Sequence, residues 1–353
     1  MARHRDRHDD VPSGLVVVDK PAGLTSHDVV ARMRKIIGTR RVGHAGTLDP
    51  MATGVLILGV NKATKLLTWV SGESKTYSAT IRLGQGTVTD DSEGEVSITA
   101  DPATVDSLEE SAINAAVTEL TGRILQVPSS VSAIKVDGVR SYARVRSGQD
   151  VELEARPVTI DSFDVHDIRR VTATCEGSRE TSVVDVDVTV SCSSGTYIRA
   201  LARDMGARLG VGGHLTRLNR LNIGEVSIDD SSTLEELAQA RDKGRTIPML
   251  SVERAAERIF VRRNLNNDEA TSLSNGRWIT PNAQTEAGAS EASGKRANDI
   301  VPACELAAGF APDGTLVALA QNQRRRGLDV AVPHLVFRSG TTFPVEAERT
   351  ADS

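Results

Sequence analysis

The sequence predicts a mixed α+β protein: one large domain built on a largely antiparallel sheet, followed by a small β-rich module. Three observations predict it. Apolar, β-branched runs that alternate with polar residues recur from Gly14 to Val190, interleaved with a smaller number of segments at helical spacing. Beyond about residue 250 the strand-like pieces are short, and a small, polar, low-complexity stretch at 282–298 interrupts them. A length of 353 residues suffices for one sizeable core and a lesser one.

Taken in order, Gly14 to Asp19 is an apolar run stopped by Lys20-Pro21 and reads as a buried strand. Ser26 is placed as an N-cap, and Val29, Val30, Met33, Ile36 and Ile37 recur at helical spacing up to Gly38. A Gly- and Arg-rich loop runs from Gly38 to Thr53, ahead of an apolar strand at Val55 to Val60. Lys75 to Leu83 alternates as a half-buried strand does, and 84–95 is polar and loop-like. A helix is expected between Val105 and Leu120, and a hairpin turn at Asp137-Gly138. Val158 to Val165 and Val183 to Val190 alternate as strands, and Tyr197 to Leu209 is helical. Strand-like pieces follow near Leu306, at Leu316 to Leu319 and at His334 to Phe337. The domain reading is a disordered polar tail at 1–12, a main domain at 13–250, and a C-terminal domain at 251–345 with a flexible insertion at 282–298.

Composition narrows the class. No stretch approaches the roughly 20 apolar residues of a membrane span, and the polar start lacks the apolar run of a secretory signal. A cytoplasmic protein is expected. Cys175, Cys192 and Cys304 form no CxxC pair, and no His/Cys cluster has zinc spacing, so no metal is expected. The net charge of −5 is segregated: residues 1–80 are net basic, whereas 84–125 hold one Arg (Arg123) against nine Asp and Glu. A basic face could meet phosphates while the molecule stays acidic overall, although two oppositely charged solvated faces fit the same counts.

Chemistry concentrates in Arg41-Val-Gly-His-Ala-Gly-Thr-Leu-Asp-Pro-Met-Ala-Thr-Gly54. Its glycines let the backbone turn sharply or approach a ligand, and Pro50 biases Asp49 toward an extended conformation. Residue types alone leave a structural turn open. The loop lacks the Gly-Lys-Ser/Thr ending of a phosphate cradle.

The string GHAGTLDPMATGVL resembles the catalytic-loop signature of the TruB family, the tRNA pseudouridine-55 synthases. Further segments resemble that family in the expected order: GLVVVDKPAG at Gly14 to Gly23, Lys75-Thr-Tyr77, Leu83-Gly84 with Thr87 to Gly94, Ser132-Ala133 with Lys135, Gly138 and Tyr142, and Cys192 to Arg199 with Asp204 and Leu209-Gly210. The similarity covers about residues 14–228. It departs at Val88, where Asp is usual, at Ser129, where a second Pro is common, and at Gly213, where Ala is usual.

The resemblance implies an isomerase that needs no cofactor. It implies that Asp49 carries the reaction, either by adding to ribose C1′ or by taking a proton from C2′, and both routes need an ionised carboxylate. Arg199 matches the arginine that pairs with it, and its charge is expected to hold the Asp49 pKa low. The target uridine must leave the T-loop stack, with Tyr77 stacking on the flipped base and Tyr197 and Leu218 completing the pocket. His44 is implied to contact the RNA where the base is extruded, and Lys20 and Pro21 to support the floor of the site. The partner implied is tRNA, through its T arm and elbow, with Arg32, Arg34, Lys35, Arg40 and Arg41 as phosphate contacts and Arg324 to Arg326 nearer the acceptor end. No membrane, no obligate protein partner and a monomer are expected, with a PUA-like RNA-binding domain at the C-terminus. A tRNA-folding chaperone in which catalysis is incidental is the alternative.

Overall fold

The computed structural model describes residues 11–129, 154–175, 179–281 and 300–344, and the backbone of 135–136 and 139–140. Strand β1 (Gly14–Lys20) leads into helix α1 (Ser26–Ile37). Thr25, not Ser26, is the N-cap. Its hydroxyl accepts the Asp28 N–H at 3.1 Å, and the Asp28 carboxylate accepts the Thr25 N–H at 2.9 Å. Ser26 is thereby left for another contact. Gly38, in the left-handed conformation, ends the helix as expected.

Strands β2 (Val42–Ala45) and β3 (Thr53–Val60) flank the Asp49 loop, and helix α2 (Leu67–Gly72) precedes β4 (Lys75–Leu83). The segment read as a loop at 84–95 begins with a short buried strand, β5 (Gln85–Thr87), which pairs with β6 (Val96–Thr99) just beyond it. The single helix expected at Val105 to Leu120 is two, α3 (Pro102–Asp106) and α4 (Glu110–Glu119). The first ends where the Ser107 hydroxyl turns back to the Thr104 carbonyl (2.8 Å). Next come β7 (Gly122–Gln126) and the antiparallel pair β8 (Lys135–Val136) and β9 (Val139–Arg140). The Asp137-Gly138 turn, Ser132, Ala133 and Tyr142, the 282–298 insertion and the first ten residues of the tail lie outside the described residues.

The long strands β10 (Arg156–Cys175) and β11 (Arg179–Cys192) extend well past their predicted limits. Their outer stretches carry cross-strand ion pairs such as Arg169–Asp187 (2.6 Å), which hide the apolar alternation. Helix α5 (Ile198–Arg208), β12 (Gly213–Ile223), β13 (Val226–Ser227), β14 (Ser232–Thr233), α6 (Leu234–Asp242) and β15 (Leu250–Ser251) follow. The main sheet runs β14-β1-β3-β12-β4-β11-β10-β7, with β15 on β1, β2 on β3 and β13 on β12. Its pairs are antiparallel except β1–β14 and β3–β12. At the parallel β3–β12 junction Gly54 faces Arg220. Gly54 has φ +97°, and a Cβ there would lie 2.2 Å from the Arg220 carbonyl oxygen, so only glycine fits.

Helices cover the sheet at two places. Val105, Ile113 and Val117 of α3 and α4, with Leu201 and Met205 of α5, bury Ile81, Leu83, Val186 and Val188. Val29, Val30, Met33 and Ile37 of α1, with Leu234 and Leu237 of α6, bury Val16, Val18, Leu56 and Leu58. After α7 (Val252–Ile259) a second sheet forms from β16 (Val261–Asn264), β17 (Leu306–Phe310), β18 (Leu316–Arg325) and β19 (Leu328–Val336), beside α8 (Asn267–Ser274). The predicted β-rich C-terminal region is thus present. Its Phe310, Leu319 and Phe337 share one core with Leu15, Val55 and Ile57 of the main sheet. Trp69 Nε1 donates across the junction to the Val301 carbonyl (2.9 Å), and Lys65 Nζ to that of Val336 (2.7 Å).

Candidate active site

Asp49 sits in the loop between β2 and β3, and contacts on both sides fix that loop. The Ser26 hydroxyl accepts the Leu48 N–H at 2.9 Å and can donate to the Leu48 carbonyl at 3.2 Å. The Pro50 carbonyl accepts the Gly23 N–H (2.8 Å) and Lys20 Nζ (3.1 Å). Lys20 also donates to the carbonyls of Pro21 (2.9 Å) and Leu24 (2.7 Å). Burial lowers its pKa to about 8 against the raising influence of Asp49, so it remains mostly charged at neutral pH. Arg220, fully buried, donates Nη2 to the Gly46 carbonyl and Nε to that of Val55, each at 2.8 Å. The turn from Lys20 to Ser26 and the middle of β12 therefore hold the two flanks of the aspartate.

Arg199, in the first turn of α5, faces Asp49. Its Nη2 donates to Asp49 Oδ1 at 3.0 Å, while Nη1 reaches the Thr89 carbonyl at 3.0 Å and Asp91 Oδ2 at 3.3 Å. The Arg199 side chain is 6% exposed and that of Asp49 34%, so the arginine is the buried partner and the aspartate opens to the cleft. Proximity to Arg199 was expected to hold the Asp49 carboxyl low. Burial instead pushes it above the usual carboxylate range, with Arg199 opposing the shift and Asp91 reinforcing it. Arg199 is shared between two carboxylates, and this limits what it does for either one.

Asp49, Tyr77, Tyr197, Arg199 and Leu218 line one cleft of about 360 Å³. Tyr77 and Leu218 are buried on β4 and β12, and burial raises the Tyr77 pKa, keeping its hydroxyl neutral. Gln126 clamps the Tyr197 peptide from both sides, accepting its N–H (2.8 Å) and donating to its carbonyl (3.1 Å), which fixes the start of α5. His44 does not line the cleft. It lies on β2 just before Gly46, with its ring edge-on to His27 at 5.3 Å, and burial first and His27 second lower its pKa. Pro21 and Lys20 are beneath the loop, outside the cleft lining. The cations Arg32, Arg34, Lys35, Arg40 and Arg41 are exposed on and after α1, and Arg324 to Arg326 are exposed at the β18–β19 turn.

Arg220 received no role from the sequence, Ser26 was read only as a helix cap, and Asp91 and Lys75 were noted only as parts of motifs. Asp91 was hidden in an acidic stretch that reads as solvated surface. Arg220 did leave a signal: it follows Leu218 by two on a strand and so shares its face. The departures from the family pattern are accommodated. Val88 is exposed; Ser129 is buried with its hydroxyl on Asp90; and a Cβ at Gly213 would meet the Ala202 carbonyl at 2.3 Å, so glycine lets α5 pack tightly here.

A large mixed sheet thus presents a carboxylate–guanidinium pair and a buried tyrosine in one cleft. The model for the "TruB family pseudouridylate synthase (N terminal domain)" matches residues 34–198, and that for the "tRNA pseudouridylate synthase B C-terminal domain" matches 199–248. A tRNA pseudouridine synthase B of Arthrobacter sp. (strain FB24) is 58% identical over 332 residues, covering 94% of this chain and 99% of the relative. One of Mycolicibacterium paratuberculosis (strain ATCC BAA-968 / K-10) is 51% identical, covering 91% and 97%. The chain belongs to the TruB family of pseudouridylate synthases and is an isomerase. Among solved structures, the archaeal box H/ACA sRNP Nop10–Cbf5 complex matches with a TM-score of 0.63 at 22% identity, covering 96% of this chain and 90% of the other, a likeness of fold.

Proposed function

We propose that the chain isomerises uridine 55 in the T loop of tRNA to pseudouridine, with Asp49 as the reacting carboxylate. The observation that carries the reading is the Asp49–Arg199 contact of 3.0 Å, facing the same cleft as Tyr77 and Leu218. The bond from ribose C1′ to uracil N1 breaks with its electron pair going to the base. The base turns, C5 bonds to C1′, and the C5 proton is exchanged for one at N1. Asp49 either holds C1′ as an ester or takes the C2′ proton, and in both cases it must begin ionised. Arg199 orients that carboxylate and offsets part of its burial cost. Tyr77 stacks on the flipped ring, contributing about 1–3 kcal/mol toward the cost of unstacking. Tyr197 and Leu218 close the pocket, Lys20 and Pro21 support the loop, and the neutral His44 positions RNA beside it. The chain acts as a cytoplasmic monomer on the T arm and elbow, with the cations of α1 against phosphates and the domain at 251–345 as a PUA-like second RNA contact.

Relatives named tRNA pseudouridine synthase B over nearly the full length support tRNA as the substrate. In the test, wild-type and Asp49→Asn protein are incubated with unmodified tRNA transcript, and pseudouridine is mapped by carbodiimide labelling and primer extension. One new stop at the T-loop uridine, made by wild type alone, is expected. Tight binding without modification by wild type overturns the reading in favour of a folding chaperone. Activity on bare transcript without added guide RNA or protein excludes a guide-dependent subunit.

A further inference from the structure

Behind the Asp49–Arg199 pair the cleft contains two more cations. Lys75, at the start of β4, and Arg220, in the middle of β12, both line it. They converge on Gly46: a Cβ built there would lie 3.4 Å from Arg220 Nη1 and 3.6 Å from Lys75 Cε. Both are buried, at 7% and 1% exposure. Neither forms an ion pair among the described residues. Lys75 Nζ donates to the backbone carbonyls of Ser71 (3.1 Å) and Glu73 (2.6 Å), and Arg220 to those of Gly46 and Val55. Arg220 also sits directly across from Tyr77 on the paired strands β12 and β4.

Two like charges side by side in a buried site, held by neutral carbonyls, are unfavourable in the free protein. Burial, with Arg220 adding to it, lowers the Lys75 pKa to about 8 against the opposing influences of Cys192 and Glu73. Two carbonyls leave one of the three ammonium protons without an acceptor among the described residues. Such a pair is preorganised for negative charge that is absent at rest and appears during reaction. The reaction generates one in this cleft: when C1′–N1 breaks, uracil takes the electron pair and becomes an anion delocalised over N1, O2 and O4.

We propose that Lys75 and Arg220 stabilise the departing uracil as its anion, Lys75 by direct contact with a carbonyl oxygen of the base and Arg220 through its buried charge. Lys75 and Arg220 share the cleft with Tyr77, the ring read as stacking on the base, while Asp49 is the group read as meeting the sugar, so positive charge is offered to the departing base and negative charge to the ribose. The inference rests on the reading of Asp49 as the reacting group.

The test compares leaving groups. Single-turnover cleavage of the C1′–N1 bond is measured on tRNA carrying uridine or 5-fluorouridine at the target position, read by digestion and chromatography as consumption of the N-linked nucleoside, because a ring rejoined through C5 keeps its fluorine and cannot lose a proton there to give pseudouridine. Fluorine stabilises the base anion without help from the protein. Lys75→Gln and Lys75→Met, each first required to melt as wild type does, are expected to lose about 100-fold in rate on uridine, with tRNA Kd within about twofold of wild type. On 5-fluorouridine the same loss is expected to shrink to about tenfold or less, and Lys75→Arg to recover most of the rate on both. An equal loss on both bases, a rate loss matched by a loss of tRNA affinity, or failure of both variants to fold overturns the proposal and leaves Lys75 a scaffold residue. Asp49→Asn serves as the control: residual full activity there refutes the reaction chemistry itself, which is a separate failure.

Discussion

Opposing forces act on Asp49, and burial is the larger. Burial raises its pKa, and Arg199, engaged also with Asp91, compensates in part. Because the ionised form reacts, the rate is expected to fall as pH drops through this raised pKa, with an acid limb above the ordinary aspartate value of about 3.9. Arg199→Gln leaves Asp49 beside Asp91 without its cation. Its acid limb is expected to move to higher pH by at least about one unit, with a rate at neutral pH lower by about 100-fold or more. A pH–rate profile of single turnovers checks both, and an unmoved limb would exclude Asp49 as the titrating group. Ser26→Ala is a second expectation at this scale. It strands the Leu48 N–H in a buried position, at a cost of about 1–3 kcal/mol in urea denaturation. The reacting aspartate was legible in the sequence because a loop motif surrounds it. Ser26 was not, since a serine ahead of an apolar helix reads as a cap, whereas in the fold Thr25 already fills that place.

Strands and helices place these groups, and the exacting junction is the parallel contact of β3 with β12. Gly54→Ala would drive a Cβ against the Arg220 carbonyl at a positive φ. A loss of about 3 kcal/mol or more is expected, read as a lower denaturation midpoint, together with loss of activity because Arg220 anchors Gly46. Thr25→Ala, by contrast, removes an exposed cap at about 1 kcal/mol and is expected to leave the rate intact. Most elements were legible from period: β4 has the limits that its alternation predicted. Limits were misread where polar pairs replaced apolar residues on outward faces, as along β10 and β11, or where one helix's worth of spacing concealed a break at Ser107. The strand order was beyond reach. Nothing local in HLTRLNRLNI indicates that it will lie parallel to a strand from the start of the chain.

Across the whole molecule, the two sheets share a core. Phe260, Phe310 and Phe337 pack with Leu15, Val55 and Ile57, and Trp69 bonds across the junction. One unfolding transition is therefore expected in calorimetry, not two. Trp69 at the junction and Trp278, 42% exposed, should report the same midpoint when each is left as the sole tryptophan by a Phe substitution at the other. Separate midpoints would show that the C-terminal sheet folds independently. The sequence suggested a second module but not its adhesion, because apolar residues on a strand do not reveal which neighbour covers them.

The placement of β12 has a consequence for how the protein is made. Strands β1 and β3, which carry Lys20 and the Asp49 loop, are synthesised first, yet their neighbours β12, β14 and β15 come from far along the chain. At about 5–20 residues per second, Asn219 leaves a ribosome on the order of ten seconds after Thr53. Throughout that interval the catalytic loop has no Arg220 to hold it and the start of β3, at Thr53 and Gly54, has no β12 beside it. High contact order makes such a sheet slow to close and open to mispairing meanwhile. A nascent chain shorter than about two-thirds of the finished one can own the aspartate without owning an active site, and competence arrives as a late, concerted event.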